Sequence, residues 1–205
     1  MKDTNASLSV HTTVVLFTIR QTLKLLLVPG EWWCLPSAVL GESEGLESCA
    51  KRALAETTGV EDVFLEQLYT FGNLDGAARV TVSYYALVPY DRVNVRPGSG
   101  EWIDPATLPI LAHGQQSIVA CACERLAAKL DYAPIAYQFL ADRFTLGELQ
   151  SVYEIIGRQV LDKRNFRRRV RASQQLLETR ETRRGGSHRP AKLYRLRDTA
   201  SLIRG

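Results

Sequence analysis

The sequence predicts an α+β protein of two domains, at about residues 8–131 and 134–205. In the first part, segments rich in β-branched residues alternate with helical patterns, an order typical of a sheet packed against helices. In the second part, helical segments precede two short strand patterns that are joined by glycines. The two parts also carry opposite net charge, which indicates that they have different partners.

The elements of the first domain follow from hydrophobic periodicity. Strands are predicted at 10–19, 23–28, 63–71 and 79–88. Apolar residues at helical spacing predict helices at 45–58 and 115–130, and Gly59 suits the position that ends the first helix. The segment 93–100 is predicted to be a loop.

The second domain begins at Pro134, which marks the predicted boundary. Helical segments are predicted at about 135–142, 146–156 and 162–173. Thr145 and Glu148 have the spacing of a capping box, and Asp162 favours the start of the third segment. Strand patterns at 176–182 and 191–197 flank Gly185-Gly186 and predict a hairpin. Helices followed by a hairpin in this order are typical of a winged helix-turn-helix.

The charged residues are unevenly divided between the two parts. The chain has 26 Lys and Arg and 22 Asp and Glu, and 16 of the basic but only 7 of the acidic residues follow from Ala133 onward. The first part therefore keeps 10 basic and 15 acidic residues. A strongly basic second domain is a candidate for binding the phosphate backbone of nucleic acid.

Several classes of protein are disfavoured by the sequence. The longest apolar stretches, 12–19 and 23–28, are too short to span a bilayer, and residues 1–9 lack the layout of a signal peptide. We therefore expect a cytoplasmic protein that does not contact membranes. Its cysteines have no metal-ligand spacing, so free and mostly buried thiols are expected at Cys34, Cys49, Cys121 and Cys123.

Residues 38–60 resemble the Nudix box, G-x5-E-x7-R-E-U-x-E-E-x-G-U, in which U is aliphatic. The matching residues are Glu44, Arg52, Leu54, Glu56, Gly59 and Val60. Ala38 stands at the first glycine of the box, and Ala53 and Thr57 stand at two of its glutamates. Upstream, 32–36 resembles the W-x-L-P lead-in of that family. The resemblance implies an α/β/α sandwich with a mixed sheet.

The departures from the box predict its chemistry. In the family the clustered glutamates hold Mg²⁺, which neutralises a diphosphate and positions the attacking water. Here only Glu56 remains of three, and Glu44 is expected to form a salt bridge with Arg52 that braces a degenerate box. We therefore expect no catalytic residue, no metal and no cofactor. The plainer interpretation of Glu44, Arg52 and Glu56 is an ordinary solvated helix face. A divergent hydrolase of ADP-ribose or a similar nucleoside diphosphate derivative, with metal ligands relocated to residues such as Glu42, Glu44 or Glu47, stays an alternative.

A basic helix is predicted at the centre of the second domain. Leu161, Phe166 and Val170 can face its core, and the basic residues spread over the outer surface are Lys163, Arg164, Arg167, Arg168 and Arg171. Such a surface can meet phosphates and guanine edges, and Asn165 could read adenine or cap the helix locally. The hairpin adds candidate DNA contacts at Arg184, His188, Arg189 and Lys192. A solvated basic helix without a partner is the plainer alternative.

Three stretches of this domain, 144–154, 161–168 and 189–195, look like signatures of the Nudix-related (NrtR-like) transcriptional regulators, and 68–72 and 83–88 look like their sensor domain. The resemblance covers about residues 10–200. It implies a homodimeric repressor or activator that binds double-stranded DNA at a palindromic operator. Many members of the family control NAD metabolism and respond to ADP-ribose, and others control sugar catabolism.

The candidate effector-binding residues are Trp32, Trp33, Tyr69, Phe71 and Arg79. Trp32 and Trp33 could stack on an adenine or nicotinamide ring, or one could fill the core and the other its rim. Members that sense ADP-ribose usually carry a longer loop with Arg-Asp-Pro-Arg, where this chain has only 73–78 before Arg79. ADP-ribose or a related nucleotide is the leading effector, and a sugar phosphate or another metabolite stays open.

Overall fold

The computed structural model describes residues 8–60, 63–72, 74, 78–93, 95, 98–130, 133–183 and 190–197. The chain divides into two compact units between Arg125 and Leu126. The helix α2 (Gln116–Lys129) therefore crosses the division, since its last turn belongs to the second unit. The sequence placed the boundary later, at Pro134, where a proline and a change of composition mark a linker.

One mixed sheet organises the first unit. Its strands are β1 (Ser9–Ile19), β2 (Leu23–Leu27), β3 (Ser37–Val39), β4 (Phe64–Gly72), β5 (Arg79–Leu87) and β6 (Glu101–Ile103). The strand order is β4-β5-β1-β2-β6, and β3 pairs with the N-terminal part of β1. β1 runs parallel to β5 and antiparallel to β2 and β3. The sequence did not predict β3 or β6, because three residues are too few to show a periodicity.

Alternating residues of β1 and β5 face opposite sides of the sheet. On one side, apolar residues pack against the helix α1 (Leu46–Thr58), and this core includes Val14, Leu16, Ala50, Leu54, Val82, Tyr84 and Ala86. On the other side lie polar residues of the same strands, among them Thr13 and Thr81. α1 ends at Gly59, whose φ of +71° is a conformation that glycine adopts without steric cost. The sheet is thus apolar towards α1 and polar towards the other side near its N-terminal end.

The second unit contains a short 3₁₀ helix (Pro134–Phe139), the helices α3 (Leu146–Gly157) and α4 (Lys163–Ala172), and the strands β7 (Leu176–Arg183) and β8 (Ala191–Leu196). The predicted helix at 135–142 is therefore wrong in type and length. Its chain becomes extended at Leu140, because Phe144 must reach β8, where it exchanges two backbone hydrogen bonds with Tyr194 at 3.0 and 2.8 Å. The remaining predicted elements of this unit are present.

Side-chain caps define where α3 and α4 begin. Thr145 Oγ1 accepts from the Glu148 backbone N–H at 3.1 Å, and the Glu148 carboxylate accepts from the Thr145 backbone N–H at 2.7 Å, which is the predicted capping box. Asp162 Oδ1 caps α4 by accepting from the Asn165 backbone N–H at 2.8 Å. Both helix starts thus follow from local sequence.

The described residues also answer two predictions from composition. All four cysteines are free thiols, as predicted, but the expectation that they are mostly buried was wrong, because only Cys49 is buried and the other three are partly exposed. Among the helices that the structure describes, none combines the length and the apolar content needed to cross a membrane.

Candidate effector pocket and nucleic-acid interface

The degenerate box is held together by one ion pair between its loop and its helix. Arg52 donates from Nε to Glu44 Oε1 at 2.9 Å and from Nη2 to Glu44 Oε2 at 2.8 Å, which is a two-pronged contact. Arg52 Nη2 also donates to the carbonyl of Val39 at 2.9 Å. This confirms the predicted salt bridge and shows that Arg52 ties β3, the following loop and α1 together.

The loop before α1 is shaped around the Glu44 carboxylate. The backbone N–H of Gly41 donates to Glu44 Oε2 at 3.0 Å, and Ser43 has a φ of +72°. The hydrogen bonds from Arg52, followed by that from Gly41, lower the pKa of Glu44 from its ordinary 4.5 to about 2. The carboxylate is therefore charged and fully engaged in holding the loop.

The other box positions do not fit a divalent cation. Ala53 is 1% exposed and has no oxygen, and the Thr57 hydroxyl donates to the Ala53 carbonyl at 2.8 Å. The Glu56 side chain is 62% exposed and lies 3.5 Å from Arg52 Nη1. Mg²⁺ needs several oxygen ligands in near-octahedral geometry, which one carboxylate beside an arginine does not supply. Within the ranges that the structure describes, no group of three or more His, Cys, Asp or Glu could hold a metal ion.

A pocket of about 650 Å³ lies on the side of the sheet that faces away from α1. Its floor is formed by β1 and β5, and its walls come from the 30–37 segment and the start of α2. The lining residues that carry polar or aromatic groups are His11, Thr13, Glu31, Trp32, Cys34, Ser37, Arg79, Thr81, His113 and Gln115. Neither Glu44 nor Arg52 nor Glu56 is among the lining residues, so the box and the pocket are separate features of the unit.

The walls of the pocket are fixed by local backbone contacts. Gln115 is 6% exposed, and its side-chain oxygen accepts from the Leu35 backbone N–H at 2.7 Å. His113 and Gly114 have φ values of +55° and +67°, so two successive residues adopt the left-handed conformation beside the pocket. For histidine that conformation is uncommon, and strained residues of this kind cluster at ligand sites.

The chemistry of the lining suits a polar, anionic ligand that carries a flat ring. Trp32 is 54% exposed and offers a surface for stacking. Arg79 provides a fixed positive charge, while His11 and His113 provide ring nitrogens. The hydroxyls of Thr13, Ser37 and Thr81 lie on adjacent strands of the floor.

The structure brings together two of the five predicted effector residues. Trp32 and Arg79 line the pocket, whereas Trp33 pairs through its backbone with Leu111 and Ala112. Tyr69 and Phe71 lie on the edge strand β4, where their rings meet edge-to-face at 5.3 Å. Sequence reasoning missed His11, Thr13, Thr81 and His113. The alternation of polar residues in β1 could have pointed to His11 and Thr13.

A second candidate site is the outer surface of α4. Phe166 and Val170 are buried, as predicted, and Leu161 before the helix is partly buried. The exposed polar residues of the helix are Lys163, Arg164, Asn165, Arg168, Arg169 and Arg171, and Arg167 is partly buried. Five of the six predicted contacts of this helix are thus available to a partner in solution. This concentration of guanidinium groups suits a polyanion.

Ion pairs occupy several basic residues of the hairpin region. Lys192, a predicted DNA contact, pairs with Glu178 across β7 and β8, and Arg183 pairs with Glu148 of α3. The Lys192 ammonium is the main cause that lowers the pKa of Glu178. The other predicted contacts of the hairpin, Arg184, His188 and Arg189, and its turn at 185–186 lie outside the described residues.

A mixed sheet whose Nudix-box segment leads into α1, followed along the chain by two helices and a hairpin with a basic outer helix, is the architecture of the Nudix-related transcriptional regulators. The second unit matches the family described as the NrtR DNA-binding winged helix domain over residues 136–196. The chain is 35% identical over 174 residues to the ADPR responsive transcriptional repressor NtrR of Acinetobacter baylyi, covering 80% of this chain and 69% of that protein. The chain therefore belongs to the NrtR family of transcriptional regulators.

Solved structures agree with this assignment. The crystal structure of Shewanella oneidensis NrtR complexed with a 27mer DNA is 32% identical, with a TM-score of 0.83 over 95% of this chain and 96% of that chain. A MutT/nudix family protein from Enterococcus faecalis is 24% identical, with a TM-score of 0.73 over 92% of this chain and 86% of that chain. At that identity the second likeness concerns the fold alone.

Proposed function

We propose that this protein is a transcriptional repressor that binds its operator through α4 and releases it when ADP-ribose or a chemically related metabolite fills the pocket of the first unit. The observation that carries the proposal is the separation of the box from the pocket: a ligand can bind beside Trp32 and Arg79 without meeting a metal or a catalytic carboxylate. A regulator that works on chromosomal DNA would act in the cytoplasm.

The proposed effector follows from the pocket and from the family. The A. baylyi relative is named for its response to ADPR. ADP-ribose combines an adenine ring, which Trp32 could stack on, with a diphosphate that Arg79 could bind. A sugar phosphate would use Arg79 and the hydroxyls of Thr13 and Thr81 without needing Trp32. The tryptophan therefore discriminates between the two candidates.

Calorimetric titration of the full chain with ADP-ribose and with ribose 5-phosphate tests the effector. We expect ADP-ribose to bind and Trp32→Ala to weaken its binding about 5- to 150-fold, since stacking of one base is worth ~1–3 kcal/mol. Tyr69→Ala is the matched control, because it removes an exposed aromatic ring outside the pocket. Equal losses in the two variants would contradict the assignment of the pocket, and tighter binding of ribose 5-phosphate would favour a sugar-phosphate effector.

We propose that the first unit no longer hydrolyses its ligand. Glu44 is committed to Arg52, and Ala53 and Thr57 supply no carboxylate, so the remaining Glu56 cannot assemble a magnesium site. Incubation with ADP-ribose and Mg²⁺ or Mn²⁺ should release no AMP. AMP release that disappears in Glu56→Gln would instead establish the alternative function, a divergent hydrolase.

DNA binding is tested by gel shift with the DNA upstream of the protein's own gene. As a proposed homodimer on a palindromic operator, the protein would place two α4 helices in major grooves about 34–36 Å apart. Affinity should fall steeply with salt, because each phosphate contact releases counterions. Arg164→Ala should reduce the slope of log affinity against log salt by about 1. The control Lys51→Ala, which removes a basic residue of α1, should leave the slope unchanged.

A further inference from the structure

The residue farthest from the core on α4 is Arg168. Successive side chains of a helix are about 100° apart, so the direction opposite to the buried pair Phe166 and Val170 coincides with Arg168. Arg164 lies one turn before it and Ala172 one turn after it on the same face. If α4 enters the major groove with its exposed face first, Arg168 would be the side chain that points at the base edges.

Arg168 is held in place by a neighbouring side chain. Its Nη2 donates to Asn165 Oδ1 at 3.1 Å, and Asn165 is itself fixed at the first turn because its backbone N–H donates to the Asp162 cap at 2.8 Å. An open groove of about 480 Å³ borders the pair. Holding a long side chain in one conformation lowers the entropy that it loses on binding, so the contact prepares Arg168 for a directional interaction.

The hydrogen bond between Arg168 and Asn165 also limits which groups of Asn165 are available to contact DNA. An asparagine that reads adenine uses its oxygen as an acceptor and its NH₂ group as a donor at the same time. In this structure one of the two lone pairs of that oxygen already accepts from Arg168, so reading of adenine would compete with the bond that holds Arg168. Arg168 in turn uses one N–H in this bond and keeps others of its guanidinium, which can reach the O6 and N7 acceptors of guanine together.

We propose that Arg168 reads a guanine of the operator and that Asn165 is a positioning residue for Arg168 and does not read adenine. This inference rests on the proposed function and deepens it, because it assigns base recognition to one side chain of α4. Arg164 and Arg171, which both lie on the same side of Arg168 around the helix, contact phosphates and contribute affinity without base preference.

The test begins with selection of a preferred duplex by the full-length protein from a DNA pool with a randomised core. Each base pair of that duplex is then replaced singly, and affinities are measured for wild type, Arg168→Lys, Asn165→Leu and Asn165→Asp. We expect Arg168→Lys to lose up to about 5- to 150-fold on the selected duplex and to weaken its preference for one G·C pair, because an ammonium still donates to guanine but lacks the fixed planar fork of a guanidinium. Its affinity for an unrelated duplex should stay near the wild-type value, which shows that the variant is folded.

The Asn165 variants separate positioning from reading. Asn165→Leu, which keeps the size and removes the acceptor, should weaken the same guanine preference. Asn165→Asp, which keeps an acceptor for Arg168, should retain it. Arg164→Lys should leave base preference unchanged. Retention of the full wild-type guanine preference by Arg168→Lys, or loss of an adenine preference in Asn165→Leu, would overturn the inference while leaving the proposed function intact. Failure of the wild-type protein to bind any duplex would overturn both.

Discussion

At the scale of single residues, the box retains the charges that hold its loop and lacks those that would hold a metal. Glu44 and Arg52 still make their two-pronged contact, while Ala53 is buried and its side chain carries no oxygen. A salt bridge of this kind can persist without catalysis because it fixes the connection between β3 and α1. The Glu44–Arg52 part of the box therefore has a structural role in this chain.

Glu44→Gln should lower thermal stability in a manner that depends on pH. The pKa of Glu44 in the folded protein is about 2, below its ordinary 4.5, so the ionised carboxylate stabilises the fold. The difference in melting temperature between wild type and Glu44→Gln should be full above about pH 4.5. It should shrink as the pH falls from there towards 2, where wild-type Glu44 becomes protonated. Scanning calorimetry at a series of pH values measures it.

Glu47→Gln provides the control for that experiment. Glu47 is exposed and pairs with Lys51 at 2.6 Å across one turn of α1, and such pairs contribute only ~0.3–0.5 kcal/mol. Its melting temperature should stay close to that of wild type from pH 7 to pH 2. A difference for Glu44→Gln that does not change with pH would mean that its effect comes from lost packing and not from lost charge.

At the scale of elements, α3 tests how far local sequence determines a helix. Thr145→Ala removes one half of the capping box and should lower the free energy of unfolding by about 1 kcal/mol. Ser151→Ala is the matched control, because the Ser151 hydroxyl bonds the Gly147 carbonyl within the helix and alanine is the better helix former. Urea unfolding should show the loss in the first variant and none in the second.

The hairpin makes a second prediction at this scale. Glu178 pairs with Lys192, so Glu178→Gln should free a positive charge on β8 and raise affinity for DNA by about 1.5- to 5-fold at low salt, the small effect expected of an exposed pair. The gain should vanish at high salt. Fluorescence anisotropy with a labelled duplex measures both values. An unchanged affinity at low salt would show that Lys192 is not near the phosphates.

The same scale shows what the sequence could and could not predict. Elements with a long periodic pattern or a side-chain cap, such as β1 and α4, were found with bounds close to those of the structure. The 3₁₀ helix at Pro134–Phe139 was not, because its form depends on Phe144 reaching Tyr194 far along the chain. The pocket could not be predicted for a related reason, because His11 and His113 are distant in sequence and only the folded sheet brings them to one cavity.

At the scale of the whole molecule, the uneven charge assigns different tasks to the two units. The second unit carries most of the excess positive charge, which favours association with DNA, whereas the acidic first unit leaves Arg79 as a local positive group for an anionic metabolite. Two ligands that bind separate units can influence each other only through a difference in affinity between two states of the protein. The strength of the proposed regulation is therefore set by how much the affinity for each ligand differs between those two states.

If ADP-ribose regulates DNA binding, the coupling must be reciprocal. Saturating ADP-ribose should weaken binding of the selected duplex by about 5- to 150-fold, and saturating duplex should weaken binding of ADP-ribose by the same factor. Anisotropy gives the first ratio and calorimetry the second. Trp32→Ala should leave DNA affinity without effector unchanged and shift the response to higher ADP-ribose concentration. If ADP-ribose binds and neither affinity responds to the other ligand, the pocket is not the sensor, because a ligand with equal affinity for both states shifts neither.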